Sequence, residues 1–175
     1  MKRKFITLIA ATIVSSGANA ASDNTINFQG QVTDETCSVS VNGNSASPVV
    51  LMPTVSRSDL DASGKTAGQV TFDIGLTGCA GSTTETKIST VFVGNQVTSN
   101  GNLGNTGTAS NVEVQLLDTT GRVINLTDGF TGDGDLTLAA NQTEASSTYT
   151  AQYYATAPAA AGTVESTLQY AVSYQ

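Results

Sequence analysis

The side chains of this sequence that could do chemistry are few and of few types. Two cysteines and fourteen carboxylates are present, whereas histidine and tryptophan are absent. Without histidine, the chain lacks the usual base of a serine or cysteine nucleophile and every imidazole metal ligand. Two cysteines cannot build a cysteine-only zinc site, and no pattern selects two carboxylates as a glycosidase pair. We therefore expect no catalytic residues, no metal and no cofactor, and hence no enzyme.

One stretch rich in aspartate and glycine could in principle hold a cation. Residues 128–135, DGFTGDGD, resemble a calcium loop in composition. They lack the EF-hand spacing and its closing glutamate, and a Gly-Asp turn explains them as well. The sequence therefore predicts a turn here, with calcium as the weaker interpretation.

The first twenty residues have the features of an export signal. Lys2, Arg3 and Lys4 form a positive start, and the apolar run from Phe5 to Ser16 is short for a membrane span. An A-x-A cleavage motif follows, which predicts a signal peptide over residues 1–20 cleaved between Ala20 and Ala21. The alternative is an uncleaved anchor. No later stretch is apolar enough to cross a membrane, so no other membrane insertion is expected.

Export decides how the two cysteines are interpreted. Cys37 and Cys79 are the sole pair in a chain bound for an oxidising compartment, which predicts a disulfide between them. Such a bridge stabilises the fold by about 4 kcal/mol in the chain-entropy model. The alternative, a reactive free thiol, lacks a histidine base or a basic cluster to activate it.

Charge restricts the partners of the mature chain. After cleavage four basic residues remain against fourteen acidic ones, which gives a net charge of −10. Such a surface repels phosphate backbones and anionic lipids. We therefore expect neither nucleic acid nor a membrane surface as a partner.

Apolar residues recur at every second position in most of the mature chain, which is the period of a β-strand with one buried face. The clearest runs are residues 26–32, 70–76, 88–93, 112–116, 149–155 and 168–174. Residues 39–41 and 136–138 continue the alternation more briefly. Residues 48–53 form a short apolar run with a proline at each end, which indicates a brief edge segment, and residues 122–126 are expected as the second arm of a hairpin after the turn at residues 118–121. A one-turn helix is expected near Ser58 and a surface loop over residues 94–111. About seven short strands and one disulfide predict an immunoglobulin-like β-sandwich.

Both ends of the mature chain carry this alternation where chain termini are usually frayed and polar. One interpretation is that both are ordinary strands of a closed sandwich. The other is that a terminal strand pairs with another molecule, for which an open sheet edge is a template.

Five stretches in this order resemble a chaperone–usher fimbrial subunit of the type 1 major pilin kind. They are the alternating TINFQGQV of residues 25–32, the spacing of Cys37 and Cys79, NVEVQLLDTTG of residues 111–121, AQYYAT of residues 151–156 and YAVSYQ of residues 170–175. The resemblance covers nearly the whole mature chain.

The resemblance implies an all-β fold, an incomplete immunoglobulin-like β-sandwich that a donor strand from a neighbouring subunit completes. It implies a donor extension over residues 21–36 and a pilin domain over residues 37–175. The implied donor residues are Ile26, Phe28, Gly30 and Val32, and the implied acceptor and chaperone-contact strand carries Leu168, Tyr170, Val172, Tyr174 and Gln175. Gly30 would fit where the groove is too tight for a side chain, although a strand bend would also explain it. Tyr174 could equally be an ordinary half-buried aromatic residue.

The resemblance also implies partners and a route. The partners would be identical or related pilin subunits, a periplasmic chaperone and an outer-membrane usher. The chain would be exported through the periplasm into a surface fimbria that supports adhesion. The alternatives are a sugar-binding fimbrial adhesin, which would need a second domain, and a minor adaptor subunit.

Overall fold

The computed structural model describes residues 37–174. The predicted signal peptide and its cleavage site at Ala20 and Ala21, the predicted donor extension (residues 21–36) and Gln175 lie outside this range. The elements in chain order are β1 (Ser38–Val41), a 3₁₀ helix (Arg57–Leu60), β2 (Thr66–Thr77), β3 (Thr86–Gly94), β4 (Val112–Leu117), β5 (Phe130–Thr131), β6 (Leu136–Leu138), β7 (Ala145–Ala155) and β8 (Leu168–Tyr174).

The strands form two sheets in which every pair is antiparallel. The first sheet has the order β1-β2-β7-β4. In the second, β3 lies between β8 on one side and the short strands β5 and β6 on the other. This arrangement confirms the predicted all-β sandwich of the immunoglobulin-like kind. No helix within residues 37–174 is long and apolar enough to cross a membrane.

Alternation in the sequence accounts for the packing of the two layers. In β2, Phe72, Ile74 and Leu76 are buried, while the residues between them are exposed or half-buried. Strand β7 lies beside β2 and directs Tyr149 and Ala151 to the same interior. Each buried aliphatic or aromatic side chain contributes about 1.5–3 kcal/mol, so these inner faces hold the sheets together.

Cys37 and Cys79 form the predicted disulfide, with their Cα atoms 4.3 Å apart. The bridge lies where β1 begins and where the chain leaves β2. Val39 and Val41 of β1 pair with Leu76 and Ile74 of β2. The disulfide therefore fixes the outer strand of the first sheet to its neighbour.

Three local predictions need correction. Residues 122–126 do not form a regular hairpin arm, because only isolated contacts join them to β4, namely the Leu117–Val123 bridge and the bond from the Ile124 N–H to the Leu116 carbonyl. Residues 94–111 are not wholly at the surface, since Asn102 and Leu103 are buried. Residues 48–53 form no regular secondary structure and pair with no described strand.

The predicted one-turn helix is present as the 3₁₀ helix at Arg57–Leu60. Ser56 caps it by accepting a hydrogen bond from the Ser58 N–H, and the Asp59 side chain accepts one from the Ser56 N–H. This capping box satisfies backbone donors that a short helix leaves open. The helix directs Leu60 into a small second core beside Val112 and Tyr153.

Candidate functional site

A cavity of about 650 Å³ opens between the two sheets beside β8. One wall is formed by β8 and the residues before it, and the opposite wall by residues 48–52. The floor consists of side chains that belong to the main core, namely Phe72, Ile74, Phe92, Leu103, Val114, Leu116 and Ala151. We call this cavity the groove. It is a gap in the sandwich that reaches the hydrophobic core.

Strand β8 is only partly covered on the groove side. Leu168, Tyr170 and Val172 are half-buried and pack against the main core, while Gln169 and Ala171 between them are exposed. On its backbone edges β8 pairs with β3 from Gly94↔Leu168 to Ile88↔Tyr174, and no other described strand pairs with it. A strand at the edge of a sheet presents alternate N–H and C=O groups that can pair with another strand.

The opposite wall is a proline-flanked segment, residues 48–53. Val50 and Met52 pack inward against the main core, whereas Val49 and Leu51 point outward and are exposed. No backbone–backbone hydrogen bond joins Pro48–Pro53 to another part of the described chain. The groove is therefore bounded by β8 on one side and, on the other, by a segment whose backbone makes no backbone–backbone hydrogen bond to the rest of the described chain, so that both sides could accept a further strand.

An aromatic cluster supports the floor of the groove. The ring of Phe92 packs edge-on to that of Tyr149, with centroids 5.0 Å apart, and Phe72 lies 5.8 Å from Tyr149 and 6.3 Å from Phe92. Phe130 of β5 stacks on Phe92 at 5.9 Å. Tyr149 and Phe92 are fully buried, so the floor is a rigid apolar surface rather than a flexible one.

Beneath the cluster, polar groups fix the loop between β5 and β6. The Tyr149 hydroxyl and the Thr90 N–H both donate to the Asp135 carboxylate, and the Ser147 hydroxyl donates to the Asp135 carbonyl. Burial, together with the Asp135 hydrogen bond, raises the pKa of Tyr149, so its hydroxyl stays protonated and donates. This hydrogen bond holds the Asp135 carboxylate towards the aromatic cluster.

The orientation of Asp135 bears on the weaker calcium interpretation of residues 128–135. One carboxylate of the predicted loop is used by the aromatic cluster. Within residues 37–174 no group of three or more His, Cys, Asp or Glu side chains could hold a metal ion. The stretch instead supplies β5, with a turn before it that ends at Gly129 and a bend after it at Gly134, and both glycines have positive φ.

The structure places the predicted acceptor residues in two groups. Leu168 and Tyr170 line the groove directly. Val172 and Tyr174 lie further along β8 and pack against the core without lining the groove. Gln175 lies outside the described residues, as do the predicted donor residues Ile26, Phe28, Gly30 and Val32.

Sequence reasoning missed the second wall of the groove. Val50 and Met52 were expected only as part of a brief edge segment, since the sequence does not show that this segment faces β8. The signal was nevertheless present, because two prolines bracket a run with an apolar residue at every position. Such a run cannot bury all its side chains as an edge strand, and its flanking prolines disfavour regular pairing.

A second cavity, of about 570 Å³, adjoins the groove near the start of β8. It shares Tyr153, Val164 and Glu165 with the groove and is also lined by Arg57. Burial raises the pKa of the Tyr153 hydroxyl, which is therefore neutral at physiological pH. The two cavities together continue the trough beyond Leu168, the first residue of β8.

Comparison with known proteins gives consistent results. A family model described as "Fimbrial protein" matches residues 26–175. The chain is 40% identical to an F17 fimbrial protein of Escherichia coli, over 99% of both chains. It is 36% identical to the major fimbrial subunit SMF-1 of Stenotrophomonas maltophilia, over 90% of this chain and 95% of that one. A solved structure of a chaperone–usher pilus, 22% identical, has a similar fold, with a TM-score of 0.60 over 95% of this chain and 100% of that chain.

Proposed function

The chain belongs to the fimbrial protein family, and we propose that it polymerises by accepting, in its groove, a strand from the next subunit. The observation that carries this proposal is the geometry of the groove. Its floor is the core of the domain, and its two walls are β8 and the proline-flanked segment, neither of which pairs across the gap with a described strand. The protein is a structural subunit of a bacterial surface fimbria and reaches the cell surface in that fibre.

The donor that fits this groove is the alternating N-terminal segment of another copy. From Ile26 to Val32 it has seven residues, the same number as β8. In an extended strand Ile26, Phe28, Gly30 and Val32 share one face. That face would enter the groove between Leu168 and Tyr170 on one side and Val50 and Met52 on the other, while main-chain hydrogen bonds form along the edge of β8.

Insertion of this strand accounts for a fibre that holds together without covalent links. Burying three large apolar side chains contributes roughly 5–9 kcal/mol before ordering costs. Completion of the sandwich also raises the barrier to unfolding, so the fibre would persist for kinetic as well as thermodynamic reasons.

Before assembly the groove needs temporary cover. An exposed apolar trough next to an open sheet edge promotes aggregation. We assign this role to a periplasmic chaperone that lends a strand of its own, and delivery of the subunit to an outer-membrane usher. The solved relative of similar fold is part of a chaperone–usher pilus, which supports this assignment.

The proposal is tested by a matched pair of donor substitutions, Gly30→Leu and Gln29→Leu. The first adds bulk on the face that enters the groove, where overpacking costs about 1–3 kcal/mol, and the second adds similar bulk on the opposite face. We expect Gly30→Leu to reduce surface fibres and the heat-sensitive ladder of polymers on gels, and Gln29→Leu to leave both unchanged.

The amount of subunit–chaperone complex in the periplasm controls for folding in both variants. Equal fibre yields from the two would refute the proposed register. If Gly30→Leu also abolished the chaperone complex, Gly30 would belong to the fold of its own domain rather than to a donor strand.

A further inference from the structure

The outward face of the proline-flanked segment carries two large apolar side chains in water. Val49 is 72% exposed and Leu51 is 82% exposed, while Val50 and Met52 between and beside them point to the core. Alternation places Val49 and Leu51 on the same side, two positions apart. Among the described residues the other exposed large apolar side chains are Val93, at 49%, and Val123, at 56%, and these lie apart from one another, in β3 and in the segment after β4.

The segment that carries this face adds no charge. The mature chain has a net charge of −10, and residues 36–56, like residues 88–112 and 145–164, contain no charged residue. Two acidic copies that approach one another are repelled least where uncharged segments lie between them. The segment that carries Val49 and Leu51 is thus both apolar and uncharged, which permits contact with a second copy of this chain.

If the proposed function is correct, the folded domain of a second copy begins near one end of the groove. The last donor residue, Val32, is five residues before Cys37, where the folded domain begins. A chain of five residues spans at most about 18 Å. The domain that donates the strand must therefore begin within about 18 Å of the end of the groove, one wall of which is the proline-flanked segment.

We propose, on the basis of the proposed function, that Val49 and Leu51 form a second contact between subunits, against the folded domain of a neighbouring copy. This contact is separate from the donor strand. It restricts the angle between successive subunits, because a strand in a groove joined to its domain by a short linker still permits bending. Loss of the contact should leave subunits linked but the fibre more flexible.

Two measurements test this contact. A photo-cross-linking residue at position 51, irradiated in assembled fibres, is expected to attach to residues 37–174 of another subunit, whereas the same residue at position 123 is not. The double variant Val49→Ser, Leu51→Ser is expected to keep the heat-sensitive ladder and to lower the persistence length of fibres in electron micrographs. The control is the pair Val93→Ser, Val123→Ser, which removes equivalent exposed side chains elsewhere and should leave the persistence length unchanged.

Several results would overturn the inference. In the cross-linking experiment these are the absence of cross-links from position 51, or cross-links that reach only the donor strand of the neighbour or only a chaperone before assembly. In the Val49→Ser, Leu51→Ser variant they are an unchanged persistence length or loss of the ladder. Failure of the proposed function is distinguishable from these, since wild-type fibres would then show no heat-sensitive ladder at all.

Discussion

Strands β4 and β8 both lie at the edge of a sheet, but other parts of the described chain cover the outer edge of β4, whereas no described strand covers that of β8. Along β4, Leu103 and Val114 exchange two backbone hydrogen bonds of 2.9 Å, and the Ile124 N–H donates to the Leu116 carbonyl. Along β8, the groove side from Leu168 to Val172 faces a cavity instead of another part of the described chain. Covered edges prevent uncontrolled association, so an open edge above the core directs association to one place.

The closed edge depends on a hydrogen-bonded ladder that crosses three strands. The Glu113 carboxylate accepts from the side-chain amides of Asn100 and Asn102, at 2.9–3.2 Å. The ladder continues with Gln115 donating to Asn102, Gln152 donating to Gln115, and Gln69 donating to Gln152. Because a carboxylate only accepts, Glu113 sets the direction of every amide in the ladder. It thereby holds the loop that covers β4.

Covering the open edge within one chain should have the largest effect. We expect a mature chain whose residues 24–33 are moved behind Gln175, after a turn-forming linker, to become a stable monomer. Its free energy of unfolding should rise by roughly 5–9 kcal/mol relative to the chain without residues 24–33, because Ile26, Phe28 and Val32 become buried. Denaturant unfolding with size-exclusion chromatography measures this.

The control for that rearranged chain carries the same ten residues with apolar and polar positions exchanged. The exchange shifts the apolar pattern by one residue and places the apolar side chains on the solvent face, so the control should show no increase in the free energy of unfolding. Equal stabilisation by both sequences would show that the groove does not select side chains at alternate positions.

Weakening the closed edge should have an intermediate effect. Glu113→Ala leaves the buried amide of Asn102 without its acceptor, and an unpaired buried donor costs about 1–3 kcal/mol, whereas the exposed amide of Asn100 can bond to water. We expect lower stability and faster hydrogen exchange of the Val114 amide, which pairs with Leu103. Glu144→Ala, at an exposed position of the same charge, should change neither. Unchanged exchange at Val114 in the first variant would mean that the loop covers β4 without help from the ladder.

The smallest effect concerns the turn that follows β4. Partial desolvation raises the pKa of the Asp118 carboxyl, but hydrogen bonds from Arg122 and Thr120 outweigh it and hold the pKa below its ordinary value. An acidic group whose pKa is lower in the folded state than in the unfolded state stabilises the fold when it is ionised. This contribution is complete above the pKa of the unfolded state, about 3.9, and is lost as the pH falls through the pKa of the folded state.

Asp118→Asn should therefore lower the free energy of unfolding slightly at pH 7, by less than about 1 kcal/mol, as is usual for exposed charged groups. The difference from the wild type should shrink as the pH is lowered below about 3.9 towards the acid limit of folding. Denaturation curves at pH 7 and at a pH below about 3.9 test this, measured on the chain whose residues 24–33 follow Gln175. The substitution Asp61→Asn, at an exposed position, is the control. A difference that is constant with pH would contradict the assigned role of the carboxylate.

The sequence predicted the parts of this comparison that depend on local pattern. Alternation located β2, β4 and β8, and the pairing of Cys37 with Cys79 followed from export and from their number. The closing of β4 was not predictable, because the contact between Glu113 and Asn102 joins a strand to a loop whose asparagines and glycines indicate a surface turn. The ladder spans residues up to 83 positions apart, and single-sequence patterns do not contain such pairs.

The two walls of the groove also differ in how far the sequence alone predicts them. Alternation predicted the strand that carries Leu168 and Tyr170, and the resemblance to fimbrial subunits implied that this strand borders a groove. Val50 and Met52 were not assigned to the groove, since only the packing of both sheets brings them opposite β8. The groove is therefore a property of the tertiary fold, although each of its walls is encoded locally.

If residues 26–32 of another copy fill the open edge of β8, a reactive group on their inward face must reach the groove. The decisive experiment places a photo-cross-linking residue at position 28, irradiates assembled fibres, boils them in detergent and identifies the linked peptides by mass spectrometry. We expect a dimer that survives boiling, with position 28 joined to the groove at residues 168–172 or 48–52 of the second chain. Cross-linked monomer alone, or attachment to the β4 edge, would contradict donation of this strand between subunits.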